Sequence, residues 1–216
     1  MTIPLPSGAE ARTRNAGAPL AAILVNGGSA RPLPGTWSAT SELLATRLAP
    51  GLGGFSFTEV RYRVKSWQAL DSCIEDALTA VEHVVAGGAR TVVFVGFSMG
   101  GAVSLAAADH PQVAGVVGLA PWIPDRLPLD GIRGKRLDVI HGTWDRYLPG
   151  IPGVSATSSR RGFERAVAAG ATGTYRLIAR GMHGAALRHP WRGLVRLPRW
   201  RAWVDETAVA LGRYAV

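Results

Sequence analysis

The sequence predicts an α/β fold: a mostly parallel sheet of about six strands with helices on both faces. Three observations predict it. Short, continuous apolar runs at residues 20–25 (LAAILV), 91–95 (TVVFV) and 113–119 (VAGVVGL) read as strands covered on both faces. Segments with a 3.6-residue apolar period lie between such strands. The two kinds alternate from residue 20 onward, as in a chain that winds a parallel sheet.

The elements follow in order. Residues 20–25 run into Asn26-Gly27-Gly28, a tight loop. Residues 36–48 suit a helix with Leu43, Leu44 and Leu48 on one side, and Pro50, Gly51, Gly53 and Gly54 end it. Residues 55–62 alternate apolar and polar side chains, the pattern of a strand. From 68 to 85, Leu70, Cys73, Ile74, Ala77, Leu78, Val81, Val84 and Val85 mark an amphipathic helix, closed by Gly87 and Gly88. After the strand at 91–95 come a helix at 99–108, a strand at 113–119 and a strand at 137–140 (LDVI) that leads into His141-Gly142. A helix at 159–169, a strand at 174–179 and a closing helix at 199–214 complete the reading. Residues 1–19 read as a poorly ordered extension, and 20–216 as one domain.

Bulk composition narrows the class. The chain has 216 residues, 47% of them apolar and 18% charged, an ordinary globular balance. No apolar run reaches the roughly 18 residues that a membrane span needs. A basic region followed by an apolar stretch is missing from the first nineteen residues, so a cytoplasmic location is expected. Cys73 is the only cysteine, which excludes an intrachain disulfide and a cysteine-rich metal site. The net charge is +9, carried almost wholly by scattered arginines. Only residues 188–203 cluster Arg with Trp. No nucleic-acid motif accompanies the charge, so it reads as solvated surface and no nucleic-acid partner is expected.

Gly96-Phe97-Ser98-Met99-Gly100 matches G-x-S-x-G between the strand TVVFV and a small-residue helix beginning MGGAVSLAAA. The spacing has a steric reason. A strand that turns sharply into a helix strains the serine and exposes its hydroxyl, and side chains two residues either side would clash with the turn. This segment resembles the nucleophile elbow of the α/β-hydrolase superfamily, and the resemblance covers the chain from about residue 20 to its end. It implies an α/β-hydrolase fold and a serine nucleophile, Ser98.

In that superfamily the order is nucleophile, acid, histidine. His183, in the glycine-flanked loop Gly181-Met182-His183-Gly184 after the last predicted strand, is the expected base, with His189 as its rival. His141 lies on the wrong side of the acid, and His110 falls near a helix end. The acid is read as Asp145, because LDVIHGTWDRYLP resembles the strand-then-loop acid segment of small carboxylesterases and dienelactone-hydrolase-like proteins. Asp125, Asp130 and Asp138 rank below it. Oxyanion donors are expected from the Met99 backbone N–H and from the loop after the first strand, where the choice between Gly27 and Gly28 stays open. Relatives often carry His-Gly there; this chain has Asn26.

Trp67, Trp122, Trp144 and Tyr147 fall at the carboxyl ends of strands, where ligands bind in such sheets, and are expected to line an acyl or alcohol pocket. Residues 121–134 are too few for the cap domain that relatives often insert there. The short start implies that the antiparallel hairpin common in relatives is absent. The resemblance implies a carboxylesterase acting on a small-molecule ester, without cofactor or metal. A thioesterase, including one acting on a carrier-bound acyl group, and a lactonase share the same triad. Two rivals come from other classes: a binding protein that kept the fold and lost activity, and a binder of anionic surfaces, acidic lipid or nucleic acid, through residues 188–203. Oligomeric state is unread.

Overall fold

Strands β3 (Leu20–Val25), β7 (Thr91–Phe97), β8 (Val113–Leu119) and β9 (Arg136–Gly142) run side by side through the middle of the sheet, almost entirely buried. That is why they read as unbroken apolar runs rather than as alternating ones. In the computed structural model, which describes residues 1–145 and 153–215, they belong to an eight-stranded sheet. Its other members are β1 (Thr2–Pro4), β2 (Glu10–Arg14), β5 (Phe55–Arg61) and β10 (Thr172–Ile178), in the order β1-β2-β5-β3-β7-β8-β9-β10. From β5 to β10 every pairing is parallel; β1 and β2 are antiparallel.

Two short ribbons stand apart from the sheet: β4 (Leu33–Pro34) with β6 (Val64–Lys65), and β11 (Ala186–His189) with β12 (Gly193–Arg196). The helices are α1 (Ala39–Leu48), α2 (Leu70–Ala86), α3 (Gly100–Ala106), α4 (Ala156–Ala168) and α5 (Trp200–Gly212).

Side chains alternate across the pleat, so each central strand feeds two cores. Ala21, Ile23 and Val25 meet Cys73, Ala77 and Val81 of α2 together with Ala102 and Val103 of α3. Ala22 and Leu24 meet Leu43, Leu44 and Leu48 of α1 together with Trp203 and Leu211 of α5. Between β8 and β9 the chain forms no cap domain, only a 3-10 turn at Asp130–Ile132.

The N-terminal hairpin corrects three expectations: the strand count, the loose start and the absence of an antiparallel hairpin there. β2 has the sequence EARTR and carries almost no apolar signal. It is held by charge instead: Arg12 Nη2 lies 2.7 Å from Glu59 Oε2 and Arg14 Nη1 lies 3.3 Å from Glu59 Oε1, with Glu59 buried on β5. Leu5 and Ala9 bury the turn that joins β1 to β2.

Asp138 is a clamp rather than an acid of the site. Buried in β9, it accepts from Arg136 at 2.6 and 3.0 Å and from the Thr174 hydroxyl at 2.7 Å, and it lies 2.8 Å from Arg213. Burial alone would raise its pKa; these partners outweigh it and hold the carboxyl below its usual range.

Candidate active site

Ser98 joins β7 to α3 at a φ of 55°, in the left-handed region that a residue with a side chain rarely adopts. Its amide donates to Leu119 O at 2.9 Å, and its carbonyl accepts from Gly101 N at 2.9 Å and Trp122 N at 2.8 Å. These bonds hold the strained turn in place. The glycines two residues either side are required by space. A Cβ at Gly96 would stand 2.5 Å from Ser104 Oγ, and one at Gly100 would stand 2.5 Å from Val25 O.

The loop after β10 brings His183 to the same end of the sheet. Its Nδ1 lies 2.7 Å from Asp145 Oδ2, and both side chains are almost wholly buried. Because Nδ1 faces a carboxylate it carries the proton, which leaves Nε2 as a free acceptor. The imidazole packs on Phe97, the residue before Ser98, with ring centroids 4.9 Å apart. The residues expected as acid and base thus touch, and the expected base packs on the residue that precedes Ser98. His189, the rival base, lies on the outlying β11 and accepts from Trp191 N.

His141 is the residue whose place the sequence reading missed. Fully buried, it puts Nε2 2.9 Å from Val154 O and 3.3 Å from Asp145 Oδ2. Both neighbours accept, so Nε2 bears hydrogen. Val154 N in turn donates to Asp145 Oδ1 at 3.1 Å. Burial pulls the His141 pKa down and favours the neutral ring, which stacks 6.5 Å from Tyr175. The HG of HGTWD hinted at this residue, but its burial is a tertiary fact.

The loop after β3 abuts the nucleophile: a Cβ on Gly27 would stand 3.3 Å from Ser98 Cβ. The two donors left open by the sequence now differ. Gly27 N donates to Asn26 Oδ1 at 2.7 Å, while Asn26 Nδ2 donates to Thr36 O at 2.9 Å. Asn26 therefore acts as a brace that engages the Gly27 amide. Among the described residues, neither Gly28 N nor Met99 N has an acceptor.

Trp67 and Trp122 come together, their rings 6.4 Å apart. With Leu70, Ile74 and Leu127, and with Gln68, Asp71 and Arg126 among its polar lining, they form a groove of about 490 Å³. A Cβ on Gly28 would collide with Trp67 Cδ1 at 2.6 Å and with Met99 Sδ, so one end of the groove is pinned to the loop beside Ser98. Trp144 does not join this lining. It is half exposed, with Arg180 over its ring at 6.0 Å. Tyr147 lies outside the described residues.

A parallel sheet covered on both faces, with a strained serine between its fifth-placed strand and the next helix, is the architecture of the α/β hydrolases, and this chain belongs to the alpha/beta hydrolase family, whose profile matches residues 22–215. No curated protein matches it. Among solved structures, it is similar to a sugar hydrolase from Lactococcus lactis, at 17% identity and a TM-score of 0.72, covering 100% of this chain and 98% of that one. It is also similar to Est1E from Butyrivibrio proteoclasticus, solved with ferulic acid bound, at 12% identity and a TM-score of 0.68, with 100% of both chains covered. A third is a serine hydrolase without a lid from Xanthomonas campestris, at 20% identity and a TM-score of 0.64, covering 85% and 84%. At these identities the shared property is the fold.

Proposed function

We propose that this protein is a serine hydrolase that cleaves carboxylic esters through an acyl-enzyme. The observation that carries the reading is the 2.7 Å contact between His183 Nδ1 and Asp145 Oδ2, with the imidazole packed on Phe97 beside a Ser98 held at a φ of 55°. Ser98 Oγ attacks the ester carbonyl while His183 Nε2 takes its proton. Asp145 keeps the ring in the Nδ1–H tautomer and stabilises the imidazolium. The oxyanion accepts from the Met99 and Gly28 amides, which have no other acceptor among the described residues. His183 then protonates the leaving alcohol, and a water activated by the same nitrogen attacks the acyl-serine and releases the acid.

The groove between Trp67 and Trp122 suits an apolar acyl or aromatic group lying against indole faces. Est1E, which has the same fold, was solved with ferulic acid, an aromatic acid, bound to it.

The test is a fluorophosphonate probe with mass mapping, beside a panel of p-nitrophenyl esters, acyl thioesters and lactones of graded size. Labelling at Ser98, turnover of the esters and loss of both in Ser98→Ala are expected. Turnover confined to thioesters or lactones would move the substrate class while keeping the triad. An unlabelled Ser98 in folded protein would leave a binding protein on a hydrolase scaffold.

A further inference from the structure

The Arg- and Trp-rich stretch near the C-terminus plays no part in the site above, yet it is organised. Trp200, the first residue of α5, carries three guanidinium groups around one indole: Arg196 at 4.8 Å, Arg201 at 5.0 Å and Arg47 at 5.3 Å from the ring centroid. They come from β12, α5 and the last turn of α1, elements far apart in sequence. All three arginines are exposed, as are Arg192 and Arg199. None of the five has a carboxylate partner among the described residues. From 186 to 204 the chain has no Asp or Glu, and Asp205 and Glu206, the next acids, form no ion pair with them.

Like charges gathered on one ring repel. The indole face attracts each of them, but it supplies no counter-charge. Such a cluster is completed by an anion, and the planar guanidinium fork matches phosphate oxygens.

A second feature defines the partner. β11 and β12 form a hairpin that stands outside the main sheet, and Trp191 at its tip is 92% exposed. Three residues of strand separate β12's start from Arg196, roughly 10 Å at the usual rise. A lone exposed indole at a hairpin tip, followed by Arg192 and carried on the same ribbon as Arg196, suits the headgroup layer of a bilayer, where tryptophan concentrates. Single-stranded nucleic acid is instead held in a charged groove lined by aromatic platforms.

We propose that this face docks peripherally on an anionic phospholipid surface. Trp191 enters the headgroup layer, and Arg47, Arg192, Arg196, Arg199 and Arg201 meet lipid phosphates. No helix among the described residues is long and apolar enough to cross a membrane, so the contact is one of surface attachment.

The test is co-sedimentation of the full chain with vesicles of phosphatidylcholine alone and with vesicles containing roughly a third phosphatidylglycerol. Binding to the anionic vesicles, weakened by salt and absent on neutral ones, is expected. Each arginine removed should lower partition roughly fivefold, so the Arg196→Glu, Arg201→Glu pair should lower it by more than tenfold. Trp191→Ala should weaken binding with an unchanged melting curve, and Ser98→Ala should bind like the parent. The inference is overturned if anionic vesicles fail to bind at low salt, or if binding survives the double substitution. It is also overturned if a single-stranded oligonucleotide binds more tightly than the vesicles at equal salt and Trp191→Ala leaves vesicle binding unchanged.

Discussion

The Nε2 of His141 lies 3.3 Å from Asp145 Oδ2, the same oxygen that lies 2.7 Å from His183 Nδ1. One carboxylate oxygen therefore sits between two imidazoles, one on the loop after β10 and one sealed beneath it. The buried ring holds Val154, whose amide donates to the other oxygen of the same carboxylate. The ring's Nε2–H donates to Val154 O, so replacing the ring by Phe leaves a buried carbonyl without its donor, a loss of about 1–3 kcal/mol. His141→Phe should lower kcat roughly 10- to 100-fold with KM little changed, and His141→Gln should recover part of it. Ester kinetics with burst-phase analysis would show whether acylation is the slowed step.

The same ring makes stability depend on pH. Burial holds the His141 pKa below its ordinary 6.5, so the unfolded chain takes up a proton where the folded chain resists it. This contribution is fully present above about pH 6.5 and is lost as pH falls through the lower folded value. Urea midpoints measured on either side of that window should therefore drop on acidification, and the drop should shrink in His141→Phe.

Asp138 gives a separate acid limit. Its folded pKa is depressed, so its contribution is present above the ordinary carboxylate range and disappears as pH falls through the folded value. Asp138→Asn should cost about 1–3 kcal/mol, a figure reduced because Arg136 and Arg213 are partly solvated. Thermal melts at neutral pH would read the loss, while Ser98 labelling of the folded fraction should stay normal.

The two oxyanion readings separate by substitution. A methyl group at Gly28 must displace Trp67 and Met99, so Gly28→Ala should reduce kcat by roughly 10²–10³-fold, the effect of losing one such donor. Gly27, whose amide is already engaged by Asn26, meets only Ser98 Cβ at 3.3 Å and Phe97 at 3.6 Å, and Gly27→Ala should cost less. Comparable losses in the two variants would remove the distinction.

Gly100→Ala tests the turn itself. Its new Cβ would sit 2.5 Å from Val25 O, a backbone atom with little freedom to move. About 1–3 kcal/mol of destabilisation is expected, together with slower labelling of Ser98.

Much of this arrangement was legible in sequence because it rests on local chemistry. The strands β3, β7 and β8 announce themselves by apolar runs, and Ser98 by glycines that the turn's crowding demands. Asp145 was expected from its likeness to a strand-then-loop acid segment and His183 from its loop after a strand, and the two side chains touch. What escaped depended on distant partners. β2 looks like a polar tail until Glu59, more than forty residues on, supplies the counter-charge for Arg12 and Arg14. His141 was set aside as a base, and its supporting place follows from a burial that no local pattern encodes. Trp144 carried the same signal as Trp122, yet only packing decided which indole would face the groove.

The hairpin of β1 and β2 also decides how the molecule must be handled. It occupies the open flank of β5, whose sequence FSFTEVR combines aromatic and β-branched residues. Trimming the first nineteen residues as if they were a dispensable tail would bare that flank's amides and carbonyls to other chains, and the shortened protein should aggregate by strand addition where the full one stays dispersed.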